Sequence, residues 1–145
     1  MSEDEDALIE AVGKASEALE YVERARGHLY SFHQLLGRAD IEFGKAADLL
    51  EQCGDREGAD RMQTEVVGRN VLDGRWTFQV IEEFDDLYYS TALSMVRGLE
   101  RDHLDGRRHV FEARMKEDRR SAGTTGHESR PPAAHAAEVD LDPDR

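Results

Sequence analysis

The sequence predicts an all-α protein: a long antiparallel helical hairpin, coiled-coil-like, in which one short helix joins two long ones. Two patterns predict this fold. An apolar repeat at helical spacing runs through the first third of the chain, and glycine-containing turns then separate two further helical segments. We expect one helical domain over residues 1–120, with helices at about 5–53, 56–67 and 76–120. Residues 121–145 have almost no large apolar side chains, so we expect a disordered acidic tail there.

The first predicted helix carries a seam of apolar residues spaced alternately three and four apart. Because the average spacing is about 3.5 residues, the pattern is typical of a helix that lies along a partner helix. The second position of the repeat is rich in alanine, which allows two backbones to approach closely. The seam consists of Leu8, Ala11, Ala15, Ala18, Val22, Ala25, Leu29, Phe32, Leu36, Ala39, Phe43, Ala46, Leu50 and Cys53.

Four glycines within this predicted helix could interrupt it, at positions 13, 27, 37 and 44. Each costs up to about 1 kcal/mol relative to alanine, so a break near Gly37 is an alternative. The seam nevertheless passes through all four without a change of phase, which favours one helix. Gly54 then provides a stop, and Asp55 provides an N-cap for the second helix. We expect Cys53, the last seam residue, to be packed rather than reactive.

The third predicted helix has an apolar stripe whose steps of three, four and four residues indicate a nearly straight helix. The alternative is a β-hairpin over residues 71–81, because Asp73-Gly74 is a turn signal flanked by alternating apolar residues. We favour the helix, since an isolated two-stranded hairpin is marginal in water. The stripe consists of Ile81, Phe84, Tyr88, Ala92, Met95, Leu99, His103, Gly106 and Val110.

A two-helix hairpin would leave apolar residues uncovered on both sides of the seam. Val12 and Leu19 lie on one side, and Leu35 and Leu49 lie on the other. Pairing two hairpins into a four-helix bundle would bury these residues. We therefore expect a homodimer.

The net charge of −13 comes from 32 acidic and 19 basic residues, and it argues against binding to nucleic acid or to anionic membranes. Only three of the basic residues are lysines, which together with the acidity makes a halophilic origin a hypothesis. The acidic N-terminal residues do not resemble a signal peptide, and no apolar run has the length of a membrane span. We expect a soluble, cytoplasmic protein.

One set of histidines and carboxylates is a candidate metal site. If the hairpin turns between residues 53 and 76, then Arg26 and His28 face the stretch 100–103. Glu100 and His103 have the spacing used in di-iron carboxylate bundles, although no second copy of the motif occurs. The alternative is a buried polar layer that fixes the register of the helices. The candidate ligands for iron, manganese or zinc are His28, His33, Glu100 and His103.

A second candidate site is a crowded polar and aromatic patch at the turn before the third helix. Such surfaces bind protein partners, and an arginine there offers a fork to a carboxylate. The alternative is that the aromatic residues cap the helix and that the acidic residues are solvated surface. The patch consists of Asp73, Arg75, Trp76, Gln79, Glu82 and Glu83.

The sequence contains no recognisable catalytic signature, since it has no glycine-rich phosphate loop, nucleophile elbow or HExxH pair. We therefore expect a helical scaffold or adaptor that acts through self-association and partner binding, with no cofactor. The alternative is a metal-binding helical bundle with a His/Glu site between the long helices, and a third option is a small ligand bound there.

Overall fold

The computed structural model describes residues 2–130, and 76% of them are helical. No strand occurs among these residues, which confirms the predicted all-α class. A π-helical segment (Asp85–Tyr89) joins the third and fourth helices without a break. The helices are α1 (Glu3–Gln52), α2 (Arg56–Glu65), α3 (Thr77–Phe84), α4 (Ser90–Leu104) and α5 (Val110–Arg119).

Helix α1 is a single helix of 50 residues that passes through Gly37 without a break. It begins after Ser2, whose hydroxyl accepts a hydrogen bond from the Glu5 amide at 3.2 Å. Acidic residues fill its first turn, where negative charge suits the positive end of the helix dipole. It ends before Gly54, which adopts a left-handed φ of +91°. Cys53 is exposed, so the expectation that it packs in the seam is wrong.

The face of α1 that packs differs from the predicted seam by one heptad position. The seam residues that repeat every seven from Leu8 are mostly half-buried, as expected. Those that repeat from Ala11 to Cys53 are mostly exposed. Their place is taken by the residues that repeat from Val12, which we call the Val12 series. It consists of Val12, Leu19, Arg26, His33, Asp40 and Ala47, all of them buried or half-buried.

The chain forms two compact units, and α1 contributes to both. Within the described residues, the terminal unit consists of 2–20 with 92–130, and the central unit is Tyr21–Thr91. The core of the terminal unit is formed by Ile9, Val12 and Leu104, with Leu99 and Val110 packed against it. In the central unit the buried residues are Ala47, Ala59, Thr77 and Ile81.

The π-helical segment changes the phase of the predicted third-helix stripe. The Ser90 amide donates to the carbonyl of Asp85, five residues earlier, so this turn contains one extra residue. At three predicted stripe positions the packed residue is displaced by one, whereas Leu99 still packs against the core of the terminal unit. Tyr88, Met95 and His103 are exposed, and the residues that follow them are buried or half-buried in their place, namely Tyr89, Val96 and Leu104.

The prediction of one helix from 76 to 120 is wrong, because α4 ends at Leu104. Asp105 and Gly106 both adopt left-handed backbone conformations, with φ of 53° and 75°, and this stops the helix. The Gly106 amide then donates to the carbonyl of Glu100 at 2.9 Å. The chain restarts as α5 after His109, which is also left-handed at φ 57°.

The segment between α2 and α3 contains the predicted turn but not a hairpin. Leu72 and Arg75 exchange two backbone hydrogen bonds around Gly74, whose φ is +68°. Pairing stops after this single bridge, because Trp76 is the N-cap of α3 and donates its amide to the Gln79 side chain at 2.7 Å. The predicted helix is therefore correct for the residues after Trp76, and the alternative of a β-hairpin is not.

The C-terminal residues of the described part contain neither helix nor strand. Residues 121–130 form turns and bends and are exposed, whereas residues 131–145 of the predicted tail lie outside the described residues. Among the described helices, none combines the length and the hydropathy that crossing a membrane requires.

Candidate functional site

The central unit contains a charged pair surrounded by aromatic rings. Arg26 of α1 donates to both carboxylate oxygens of Asp85, with Nε–Oδ1 at 2.6 Å and Nη2–Oδ2 at 2.8 Å. The guanidinium carbon lies 5.7 Å from the ring centroids of both Tyr30 and Tyr89. The two paired side chains are only 33% and 29% exposed. The arrangement combines bidentate pairing with cation–π contact, so Arg26 is held by several groups at once.

The Arg26–Asp85 pair shifts the titration of both groups. The hydrogen bonds from Arg26 hold the pKa of Asp85 below its ordinary value, with a smaller opposing effect of desolvation. The same bonds raise the pKa of Arg26. Both groups therefore stay charged at neutral pH, and the guanidinium fork is occupied by a partner within the chain.

The other two polar members of the Val12 series also bond to other elements. His33 Nδ1 lies 2.7 Å from the hydroxyl of Thr77, the buried first residue of α3. Asp40 accepts a hydrogen bond from the Gly68 amide at 2.7 Å. The predicted facing of Arg26 with residues 100–103 is therefore wrong, because the chain already returns to α1 at Gly68 and reaches Arg26 with Asp85.

The four candidate metal ligands are divided between the two units. His28 is exposed and His33 is bonded to Thr77, both in the central unit. Glu100 and His103 are in the terminal unit, where His103 is exposed. Glu100 is 2% exposed, and both its oxygens accept hydrogen bonds from Arg97 at 3.0–3.1 Å. Glu100 is thus a buried carboxylate whose cationic partner lies one turn earlier on the same helix.

Several polar groups of the predicted partner-binding patch are hydrogen-bonded to other residues of the same patch. Arg75 forms a two-pronged ion pair with Glu83, including Nη2–Oε1 at 3.0 Å, and also donates to the Asp73 carbonyl. Trp76 and Phe78 stack edge to face at 6.4 Å, and Gln79 caps the helix start. The structure therefore brings the patch residues together around the N-terminus of α3, where Gln79 caps the helix. Glu82 remains exposed.

The terminal unit contains a second group of ligating side chains that the sequence analysis missed. Glu20 of α1 lies with His109 and Glu112, and the ligand atoms of the three residues are all within 4.8 Å of one another. They line a cavity of about 430 Å³ whose apolar walls include Ile9, Leu104 and Phe111. The signal available in the sequence was His109-x-x-Glu112, a helical i, i+3 pair, but nothing in the sequence placed Glu20 beside it.

Several large apolar side chains of α1 in the central unit are uncovered. Some of them lie on a face of exposed or half-buried residues, spaced alternately four and three apart, which we call the outer face. Its most exposed aliphatic residue is Leu35, at 68%. The outer face consists of Tyr21, Ala25, His28, Phe32, Leu35, Ala39, Glu42, Ala46, Leu49 and Cys53.

Comparison with models of known protein families, with curated proteins and with solved structures finds no match.

Proposed function

We propose that this protein is a helical scaffold or adaptor that self-associates through the outer face of α1. The observation that carries the proposal is the exposure of large apolar side chains at coiled-coil spacing along one helix. Leu35 is 68% exposed, and Tyr21 and Leu49 are similarly exposed. Contiguous apolar surface of this kind marks interaction sites, and a repeat of about 3.5 residues fits a helix as the partner.

The thin core of the central unit supports the same conclusion. Its buried apolar residues are two alanines and Ile81, whereas several aromatic and leucine side chains of α1 remain exposed. Burying an exposed leucine side chain contributes about 1.5–3 kcal/mol. Association would therefore add hydrophobic stabilisation to a unit that has little of its own.

The order of residues along the outer face favours a second copy of the chain as the partner. Large apolar residues lie on both sides of Leu35 along this face, since Tyr21 and Leu49 are equally far from it in the sequence. A two-fold axis at Leu35 would bring an antiparallel copy into register with the first. His28 of one copy would then lie near Glu42 of the other, and Phe32 would lie near the small residue Ala39. An isologous interface requires this kind of self-complementarity.

The finer arrangement expected from the sequence, two hairpins forming a four-helix bundle, belongs to the same proposal. Two contacts in the central unit support the antiparallel direction of the hairpin. As the chain proceeds from Thr77 to Asp85, its partner on α1 moves back from His33 to Arg26. Binding of a further protein partner, the absence of membrane and nucleic-acid binding, and a cytoplasmic location stay predictions from the sequence.

The test is the association state of a variant with a charge in the centre of the outer face. We expect wild-type protein to sediment as a dimer at tens of micromolar and Leu35→Glu to sediment as a monomer. Ile41→Glu is the matched control, since Ile41 is 57% exposed on a different face of the same helix. It should leave the dimer intact.

Circular dichroism of Leu35→Glu checks that the variant keeps its helix content, as expected for a substitution at an exposed position. Wild-type protein that sediments only as a monomer at these concentrations would refute self-association. Equal loss of the dimer in Leu35→Glu and Ile41→Glu would show that the outer face is not the interface.

A further inference from the structure

The group formed by Glu20, His109 and Glu112 has the composition of a metal site. It combines one imidazole with two carboxylates, and the residues come from two segments that are far apart in the sequence. Zinc accepts both ligand types, and its catalytic sites commonly use three protein ligands. This group is distinct from the four ligands predicted from the sequence and includes none of them.

The distances suit a small divalent cation. For metal–ligand bonds of about 2.1 Å in a tetrahedron, neighbouring ligand atoms lie about 3.4 Å apart. His109 Nδ1 and Glu112 Oε2 are already 3.5 Å apart. Glu20 is an exposed side chain within 4.8 Å of both, so a change of rotamer is sufficient to complete the triangle.

The surroundings of the group give it a second binding feature. The three ligands line the 430 Å³ cavity of the terminal unit, which is within the size range of small-molecule sites. With three protein ligands, a tetrahedral ion keeps one position for water or for a ligand in that cavity. The left-handed backbone of His109 (φ 57°, ψ 31°) is uncommon for a residue with a side chain, and it sets the position of the imidazole at the start of α5.

Helix α5 is the element that an ion would stabilise most. It has ten residues, none of them buried, and a helix of this length is marginal without tertiary support. Its described contacts with α1 include the ion pair between Arg114 and Asp6 at 2.9 Å, the close approach of Phe111 to Gly13, and the packing of Val110 against the core that contains Ile9 and Val12. A metal bound by Glu20 together with His109 and Glu112 would add a further link.

We propose that Glu20, His109 and Glu112 bind one Zn²⁺ ion that links the start of α5 to α1, with an open coordination position toward the cavity. The test is calorimetric titration of untagged protein with Zn²⁺. We expect one bound ion per chain and at least a roughly tenfold weaker affinity in Glu20→Gln, Glu112→Gln and His109→Gly, since even outer-shell changes cost 10–100-fold. Glycine is chosen at position 109 because it adopts the left-handed conformation without strain.

Two control variants distinguish this site from general attraction of cations to an acidic protein. Glu10→Gln removes another exposed carboxylate that lines the cavity, and His103→Ala removes an exposed histidine of the same unit. Both should bind Zn²⁺ as the wild type does. Absence of one-to-one binding, or equal weakening in Glu10→Gln and Glu20→Gln, would overturn the proposal.

Amide hydrogen exchange supplies a readout that locates the ion. Zn²⁺ should slow exchange in α5 of the wild type by several-fold and should leave α5 of Glu20→Gln unchanged. The loss of this protection in Glu20→Gln is specific to a link between α5 and α1. If Zn²⁺ binds but exchange in α5 does not change, the ion is bound elsewhere and the proposal is wrong.

Discussion

Arg26 occupies a heptad position that holds Val12, Leu19 and Ala47 elsewhere in α1. A charged side chain at such a packed position is costly unless its hydrogen-bonding groups are satisfied. Asp85 satisfies them with two hydrogen bonds, and the adjacent tyrosine rings cover the guanidinium. The pair therefore specifies which part of the π-helical segment lies against α1 and contributes geometric specificity as well as energy.

Asp85→Asn tests the energetic contribution of this pair. We expect the free energy of unfolding to fall by about 1 kcal/mol at pH 7, since the pair is partly shielded from solvent but not deeply buried. Asp86→Asn is the matched control, because Asp86 is the adjacent, exposed aspartate. Urea denaturation of both variants measures the difference. An equal effect of the two substitutions would contradict a specific role for Asp85.

The effect of Asp85→Asn should also depend on pH with a defined sign. The folded-state pKa of Asp85 lies below its ordinary value of 3.8, so the folded state favours the carboxylate. The stabilisation is fully present above about pH 4 and is lost as the pH falls through the lowered folded-state pKa. Wild type and Asp85→Asn should therefore converge in stability at strongly acidic pH.

At the scale of elements, α1 keeps its helical course despite four internal glycines. Helix capping and tertiary packing outweigh their intrinsic cost, which is about 1 kcal/mol each relative to alanine. The π-helical segment, by contrast, made the residues that face α1 differ from those predicted. One extra residue per turn leaves the helix continuous but changes which side chains face α1, so Asp85 and Tyr89 approach Arg26.

Substitution of Gly37 within α1 and of Gly54 just after its end gives a test at this scale. A β-carbon added at Gly37 meets no other atom within 4 Å, so Gly37→Ala should raise the free energy of unfolding by about 0.5–1 kcal/mol. Gly54→Ala should lower it by about 1–2 kcal/mol, because its φ of +91° is strained for alanine. Urea denaturation measures both changes. A destabilising Gly37→Ala would indicate that α1 is packed or bent there.

For the whole molecule, the net charge of −13 opposes compaction through self-repulsion. Salt bridges such as Lys14–Glu17 and Lys45–Glu42 are exposed, and exposed pairs contribute little. Many of the carboxylates lie on helix surfaces that face solvent. Screening by salt should therefore favour the folded state.

A melting series in KCl tests this expectation and the halophilic hypothesis together. The Debye length falls from about 30 Å at 0.01 M salt to about 3 Å at 1 M, so repulsion weakens steeply. A gain of about 1 kcal/mol would raise the melting temperature by roughly 4 °C. The same series with Leu35→Glu separates screening from salt-driven association. A melting temperature that stays flat or falls would refute salt adaptation.

The positions of most helix boundaries were predictable because local chemistry sets them. Acidic residues begin α1, Gly54 ends it, and Asp55 caps α2 by accepting a hydrogen bond from the Gly58 amide. The end of α4 was also encoded locally, by Asp105-Gly106, but its apolar stripe continued through that glycine and concealed the stop. No local signal in the sequence indicated the π-helical segment.

The sequence by itself determined that α1 is one helix with an apolar repeat, since side-chain spacing and caps act within a few residues. Only the tertiary structure decided which of two adjacent series faces inward. By apolar character alone, the series from Ala11 to Cys53 fits a seam better than the Val12 series, half of which is polar. The choice depends on Asp85, Thr77 and Gly68, which bond to Arg26, His33 and Asp40 only after distant segments meet. The group of Glu20, His109 and Glu112 was not predictable for the same reason, because it forms only when distant segments meet.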